Sequence, residues 1–104
     1  MIELKIEPNN VARVIADKDI VSEVVNDLKY AMDEAIGKNC IRLILDMQNV
    51  QYINSSGLSI LVGAENRLRQ KGGTLNLCNV SPDLYAFFES INLTQVFSIS
   101  EGNL

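Results

Sequence analysis

The sequence predicts a single α/β domain: a mixed, mostly parallel β-sheet covered by helices, in the element order ββαβαβαβ. Three observations carry this. Strand-like and helix-like segments alternate over most of the 104 residues, and strands joined through helical crossovers run parallel. The first two strand segments are separated only by the turn Pro8-Asn9-Asn10, so that pair is an antiparallel hairpin. Leu43-Ile44-Leu45 is apolar at every position, which requires helices to cover the sheet.

Taken in order, Met1–Glu7 alternates, with Ile2, Leu4 and Ile6 on one face and Glu3, Lys5 and Glu7 on the other. This is a half-buried strand at a sheet edge. Val11–Ala16 is the second strand, and Asp17-Lys18-Asp19 a loop. From Val21 the apolar positions Val21, Val24, Val25, Leu28, Ala31, Met32, Ala35 and Ile36 recur at three- and four-residue steps, predicting a helix over Val21–Ile36. Ser22 serves as its N-cap and Gly37 as its stop. Cys40–Met47 is the central strand. A second helix spans Ser56–Lys71, with Leu58, Leu61, Val62 and Leu68 inward, Glu65 and the basic residues outward, and Gly72-Gly73 ending it. Thr74–Val80 is the next strand. Ser81-Pro82-Asp83 opens a third helix, Pro82–Ser90, through a serine cap, a proline at the first position and an acid in the first turn. Val96–Ile99 is a last strand, and Ser100–Leu104 a tail without pattern.

Composition narrows the function. An apolar fraction of 47% suffices for one core. The net charge of −4 and the lack of a basic run argue against a nucleic-acid partner. No apolar stretch is long enough for a membrane span and no signal peptide is visible, so a soluble, cytoplasmic protein is expected. Histidine is absent, which removes Ser-His-Asp and Cys-His catalysis and most zinc sites. Cys40 and Cys78 match no metal spacing and are expected as buried core thiols. No cofactor is indicated.

The stretch with chemical potential is Leu43–Gly73. Its apolar strand ends in Asp46, a connector follows with Val50, Tyr52 and Ile53, and then Asn54-Ser55-Ser56-Gly57 precedes the second helix. Small polar side chains accept hydrogen bonds from the orphan N–H groups of a first turn. Two serine hydroxyls thus sit at the positive end of a helix of roughly 16 residues, about 24 Å long. In parallel sheets, sites gather beyond the carboxyl ends of the strands, where this turn falls. On the residues alone, a plain helix cap is the better account of the cluster, since caps far outnumber functional serines.

Ile41–Leu58, continuing through Lys71-Gly72-Gly73 to Asn79-Val80-Ser81-Pro82, resembles the STAS domain of bacterial anti-sigma factor antagonists. There, a strand ending in Leu-Asp-Leu leads to Asp-Ser-Ser/Thr-Gly-Leu at a helix start. The helix is followed by Gly-Gly, a strand, and Ser-Pro opening the next helix. The resemblance makes residues 1–104 one STAS domain that binds a partner and catalyses nothing. It implies a partner that is both an anti-sigma factor and a serine kinase, and a serine phosphatase that resets the switch. Ser55 is then the phosphoacceptor, and Asn54, Ser55, Ser56 and Gly57 the partner-binding turn. Asn54 stands where the family has aspartate, and Asp17-Lys18-Asp19-Ile20-Val21 lacks the glycine of the family's Gly-x-Leu/Ile-Asp loop. The chain also lacks the C-terminal helix of many relatives.

Two other readings stay open. A STAS domain without a working switch serves as an accessory subunit of membrane transport or other regulatory complexes, and Asn54 leans that way. An enzyme needs a base that Lys38 and Lys71 do not evidently supply. Gly57 and Gly63 lack the Lys-Ser/Thr that completes a phosphate loop. Asp46, at a strand end, more often caps a turn than binds metal.

Overall fold

The computed structural model describes residues 2–104. Five strands lie side by side in chain order: β1 (Ile2–Glu7), β2 (Val11–Ala16), β3 (Arg42–Asp46), β4 (Thr74–Cys78) and β5 (Ser98–Ile99). β1 and β2 are antiparallel, and every later pairing is parallel. The helices are α1 (Glu23–Gly37), α2 (Ser55–Gln70) and α3 (Pro82–Ser90). The order ββαβαβαβ follows directly from the alternation of periods two and 3.6 in the sequence. The expected start of β1 at Met1 lies outside the described residues.

Register explains the core. Ala12, Leu43 and Leu75 align across β2, β3 and β4, as do Val14, Leu45 and Leu77, and all six are fully buried. The buried residues of all three helices, including Leu28, Met32, Leu61, Leu68, Leu84 and Phe88, join these positions in one cluster. The opposite face reads Arg13, Ile44 and Asn76 across the same strands, and Ile44 and Cys78 stay outside that cluster. The buried residues of the helices thus cover one face of the sheet. Ile44 is buried between Arg13 and Asn76, and Arg42 Nε donates to Asn76 Oδ1 at 3.3 Å.

The tail forms part of this back face. Ser100 N donates to Leu77 O at 2.8 Å and Asn79 N to Gly102 O at 2.9 Å. Arg13 Nη2 donates to Leu104 O at 2.6 Å while its Nε holds Glu7 at 3.0 Å. β5 contracts to two residues because Leu93–Val96 turns, and Phe97 packs edge-on to Phe88, with ring centroids 6.1 Å apart. Cys40 and Cys78 are buried free thiols, and burial pushes both pKa values up. Glu65, assigned outward from the sequence, is buried on α2, with its carboxylate 3.2 Å from Arg69 one turn on. Ile6 lies on the apolar face of β1, as expected, and is 56% exposed.

Candidate functional site

The site begins where β3 ends. Asp46 Oδ1 accepts from Gln48 N and from Asn79 Nδ2, both at 3.0 Å, so this carboxylate caps a turn. Val50 and Ile53 are buried and anchor the connector. Between them, the loop after β2 grips the backbone. Asp19 Oδ1 accepts from Gln51 N at 2.7 Å and Tyr52 N at 3.1 Å. Ile20 N donates to Tyr52 O at 3.0 Å, and Asn54 N donates to Ile20 O at 3.1 Å. Ile20, fully buried, thereby forms a parallel bridge with Ile53.

In the sequence Asp19 and Ile20 stood out only as part of a loop that departs from the family's Gly-x-Leu/Ile-Asp pattern, and their hold on the connector was not foreseen. The signal was faint: one apolar residue directly after an Asp-Lys-Asp run. They matter because they fix the entry angle of the chain into α2.

Asn54 takes the N-cap position in an extended conformation, and its Oδ1 accepts from Gly57 N at 2.8 Å. The helix starts one residue earlier than expected, at Ser55 rather than Ser56. Ser55 and Ser56 occupy the first two helical positions and are exposed, while Asn54 is half-buried. Their N–H groups belong to the unpaired first turn of α2. Ser55 O accepts from Ser59 Oγ at 3.1 Å. No acid lies in the first turn, so the positive end of the helix dipole meets no carboxylate of its own helix.

Gly57 differs from the other three. It is the third helical residue and is buried. A Cβ there would lie 2.7 Å from Ile53 Cγ1 and 2.8 Å from Ile20 Cγ2. Glycine is required because α2 seats directly on the Ile20–Ile53 pair. Tyr52, two residues before the cap, is 52% exposed and lies 6.4 Å ring-to-ring from Phe87 of α3.

The four residues of the sequence motif are thus brought together at one helix start: one caps, two face solvent, and one sets the packing. Among the described residues no three His, Cys, Asp or Glu side chains cluster to hold a metal ion, and no helix is long and apolar enough to cross a membrane.

This strand-connector-helix arrangement, inside a sheet of order β1-β2-β3-β4-β5, is that of a known class. The family model described as STAS domain matches residues 2–102. An anti-sigma-B factor antagonist of Listeria monocytogenes is 30% identical over 99% of this chain and 92% of its own. A structure described as a putative anti-sigma factor antagonist of Thermotoga maritima superimposes with a TM-score of 0.84 at 19% identity, over 95% of this chain and 85% of its own. A sulfate transporter family protein of Wolinella succinogenes gives 0.79 at 22% identity, over 94% and 82%. These two structures share the fold. The chain belongs to the STAS-domain anti-sigma factor antagonist family.

Proposed function

We propose that the chain is a cytoplasmic anti-sigma factor antagonist whose binding is switched by phosphorylation of Ser55. In this reading it is a binding module rather than an enzyme. Its partner is an anti-sigma factor that is also a serine kinase, complex formation frees the sigma factor, and a serine phosphatase restores Ser55. The observation that carries the proposal is the exposed Ser55 hydroxyl at the first position of α2. The family relationship supplies the partner class.

The physics is consistent. A phosphoryl group adds about −1.5 to −2 charges and three acceptor oxygens. The start of α2 has unpaired N–H groups and no acid in its first turn, so the fold tolerates that charge. The interface does not. Asn54, Ser55 and Ser56 present a neutral surface to the partner, with Gly57 beneath setting its height. Against a surface shaped for a hydroxyl, a desolvated anion without a facing cation is costly, and a loss of about 3 kcal/mol weakens binding more than a hundredfold.

The test is calorimetric titration of the cognate anti-sigma factor kinase with variants, using circular dichroism melts as the folding control. Ser55→Asp is expected to abolish binding with the fold intact, because aspartate is itself tolerated at a helix start. Ser55→Ala binds but takes no phosphate, and Ser56→Ala leaves both nearly unchanged. Binding of Ser55→Asp at parental affinity overturns the switch.

One observation favours a second reading, an accessory subunit of a membrane transport or other regulatory complex. Asn54 caps the helix as an aspartate does, yet brings no charge beside Ser55. Asn54→Asp is expected to raise the rate of phosphate incorporation by the kinase. Absence of any incorporation in both proteins points to the accessory role.

A further inference from the structure

We propose that the outer edge of β1 is a self-association surface, on which a second copy of this chain adds its own β1 antiparallel across a two-fold axis at Leu4. β1 pairs only with β2 among the described residues, so its other edge presents unpaired backbone groups. The apolar surface beside it is also incomplete. Ile6 is 56% and Tyr30 70% exposed, and a groove of about 330 Å³ between β1 and α1 is lined by Ile2, Leu4, Asp27, Tyr30, Ala31 and Glu34.

The occupant is read from the strand itself. Residues opposite one another in an antiparallel pair share a face, and a two-fold axis at Leu4 sets Ile2 against Ile6 of the second copy and Leu4 against Leu4. All these residues lie on the face that already packs on the core or, for Ile6, stands exposed in line with it. On the other face, the same register sets Glu3 against Lys5 of the second copy, twice. Both residues are exposed, and neither has an ion pair among the described residues. Opposite charges directly across a sheet stabilise the pairing and like charges oppose it.

Alternative registers do worse. An axis at Lys5 sets Lys5 against Lys5 and Glu3 against Glu7. A shift by one residue sets the apolar face of one strand against the charged face of the other. The favoured register also ends before Pro8, which lacks the N–H that further pairing requires. Charges on an edge strand commonly prevent pairing; here they instead select one register of self-pairing. The carboxylates of Asp27 and Glu34 flank the groove on both copies and repel across the axis, which keeps the association weak. The face is isologous, as a closed dimer requires. α2 begins beyond β3, two strands inward, so both Ser55 sites stay open.

Sedimentation velocity on the full chain, from about 10 µM to 1 mM, a range that covers weak assemblies, tests this. A concentration-dependent dimer is expected. Glu3→Lys, Lys5→Glu and Ile6→Lys should each weaken it at least tenfold, since every substitution acts twice across the axis. The double variant Glu3→Lys/Lys5→Glu keeps the net charge and should restore the dimer to within about threefold of the parent. Melting curves confirm that each variant folds. A monomer throughout the range overturns the proposal, as does a dimer indifferent to all three single variants. Weakening by the single variants without rescue by the double variant overturns the register.

Discussion

α1 and α2 are nearly equal in length, 15 and 16 residues, yet they begin in opposite ways. α2 starts with a working cap: Asn54 is extended and its side chain takes the Gly57 N–H. α1 starts at Ser22 with φ 53° and ψ −134°, and the hydroxyl makes no capping bond. Glu23 fills the first turn of α1, while α2 has no acid there. Among the described residues, the open groove of about 450 Å³ beside α1 is lined by the charged side chains of Asp17, Lys18, Asp19 and Glu23. The comparison teaches that the two helix starts are built for different uses. One supplies its own anion. The other leaves two hydroxyls in solvent at a positive end with no acid in its own first turn.

The largest break in this contrast comes from beneath α2. Gly57→Val forces methyl groups into Ile20 and Ile53, which already lie within 2.8 Å of an added Cβ. Overpacking of this kind costs about 1–3 kcal/mol, and lifting the helix start is expected to weaken partner binding as well. Gly63→Ala is the control within the same helix. No atom lies within 4 Å of its Cβ position, so this change should stabilise by about 0.5–1 kcal/mol through helix propensity. Urea midpoints decide both, and equal effects at the two glycines would show that α2 does not seat on the Ile20–Ile53 pair.

The caps come next. Asn54→Ala removes an accepted bond and should cost about 1 kcal/mol. Ser22→Ala removes none and should cost less than half of that. Ser22→Gly should raise stability, because a positive φ with extended ψ costs any non-glycine residue about 1–3 kcal/mol. Thermal melts of the three variants give the ordering directly, and a loss of stability in Ser22→Gly would contradict the strained start of α1.

The smallest effect concerns the clamp between the two helices. Asp33 of α1 is 2.6 Å from Arg67 Nη1 of α2 and 2.9 Å from Lys29 Nζ. Hydrogen bonds from Arg67 and then Lys29 hold its carboxyl below the ordinary range. A depressed folded pKa stabilises above the unfolded value, and that gain is lost as pH falls through the folded pKa, here below the ordinary aspartate range. The pair is well exposed to solvent, so Asp33→Asn should cost under about 1 kcal/mol at neutral pH and nothing once Asp33 is protonated. A pH series of urea melts checks it.

Most of the architecture was legible because it rests on local periodicity. The alternation in Ile2–Glu7, the three- and four-residue steps from Val24 to Ile36, and the Ser81-Pro82-Asp83 start each impose their element wherever the segment is placed. Asn54 was legible as part of a helix start for the same reason: its cap reaches only three residues. Ser22 misled because its composition matches a cap while its backbone conformation does not. The chain there must bring Ile20 to Ile53 before it turns into α1.

Sequence alone determined the element order, the apolar faces of the three helices apart from Glu65, and the placing of two serines at the positive end of α2, since these depend on interactions a few residues apart. Only the tertiary structure decided the rest. It gathered the helices' buried residues on one face of the sheet and left Ile44 beneath Arg13 and Asn76. It folded the 100–104 tail onto β4 and bound the loop at Asp19–Ile20 to the entrance of the site. It also made Gly57 a seat for α2 rather than a turn. The partners in these contacts are tens of residues apart along the chain, and no local period records which distant side chain will arrive to fill a given space.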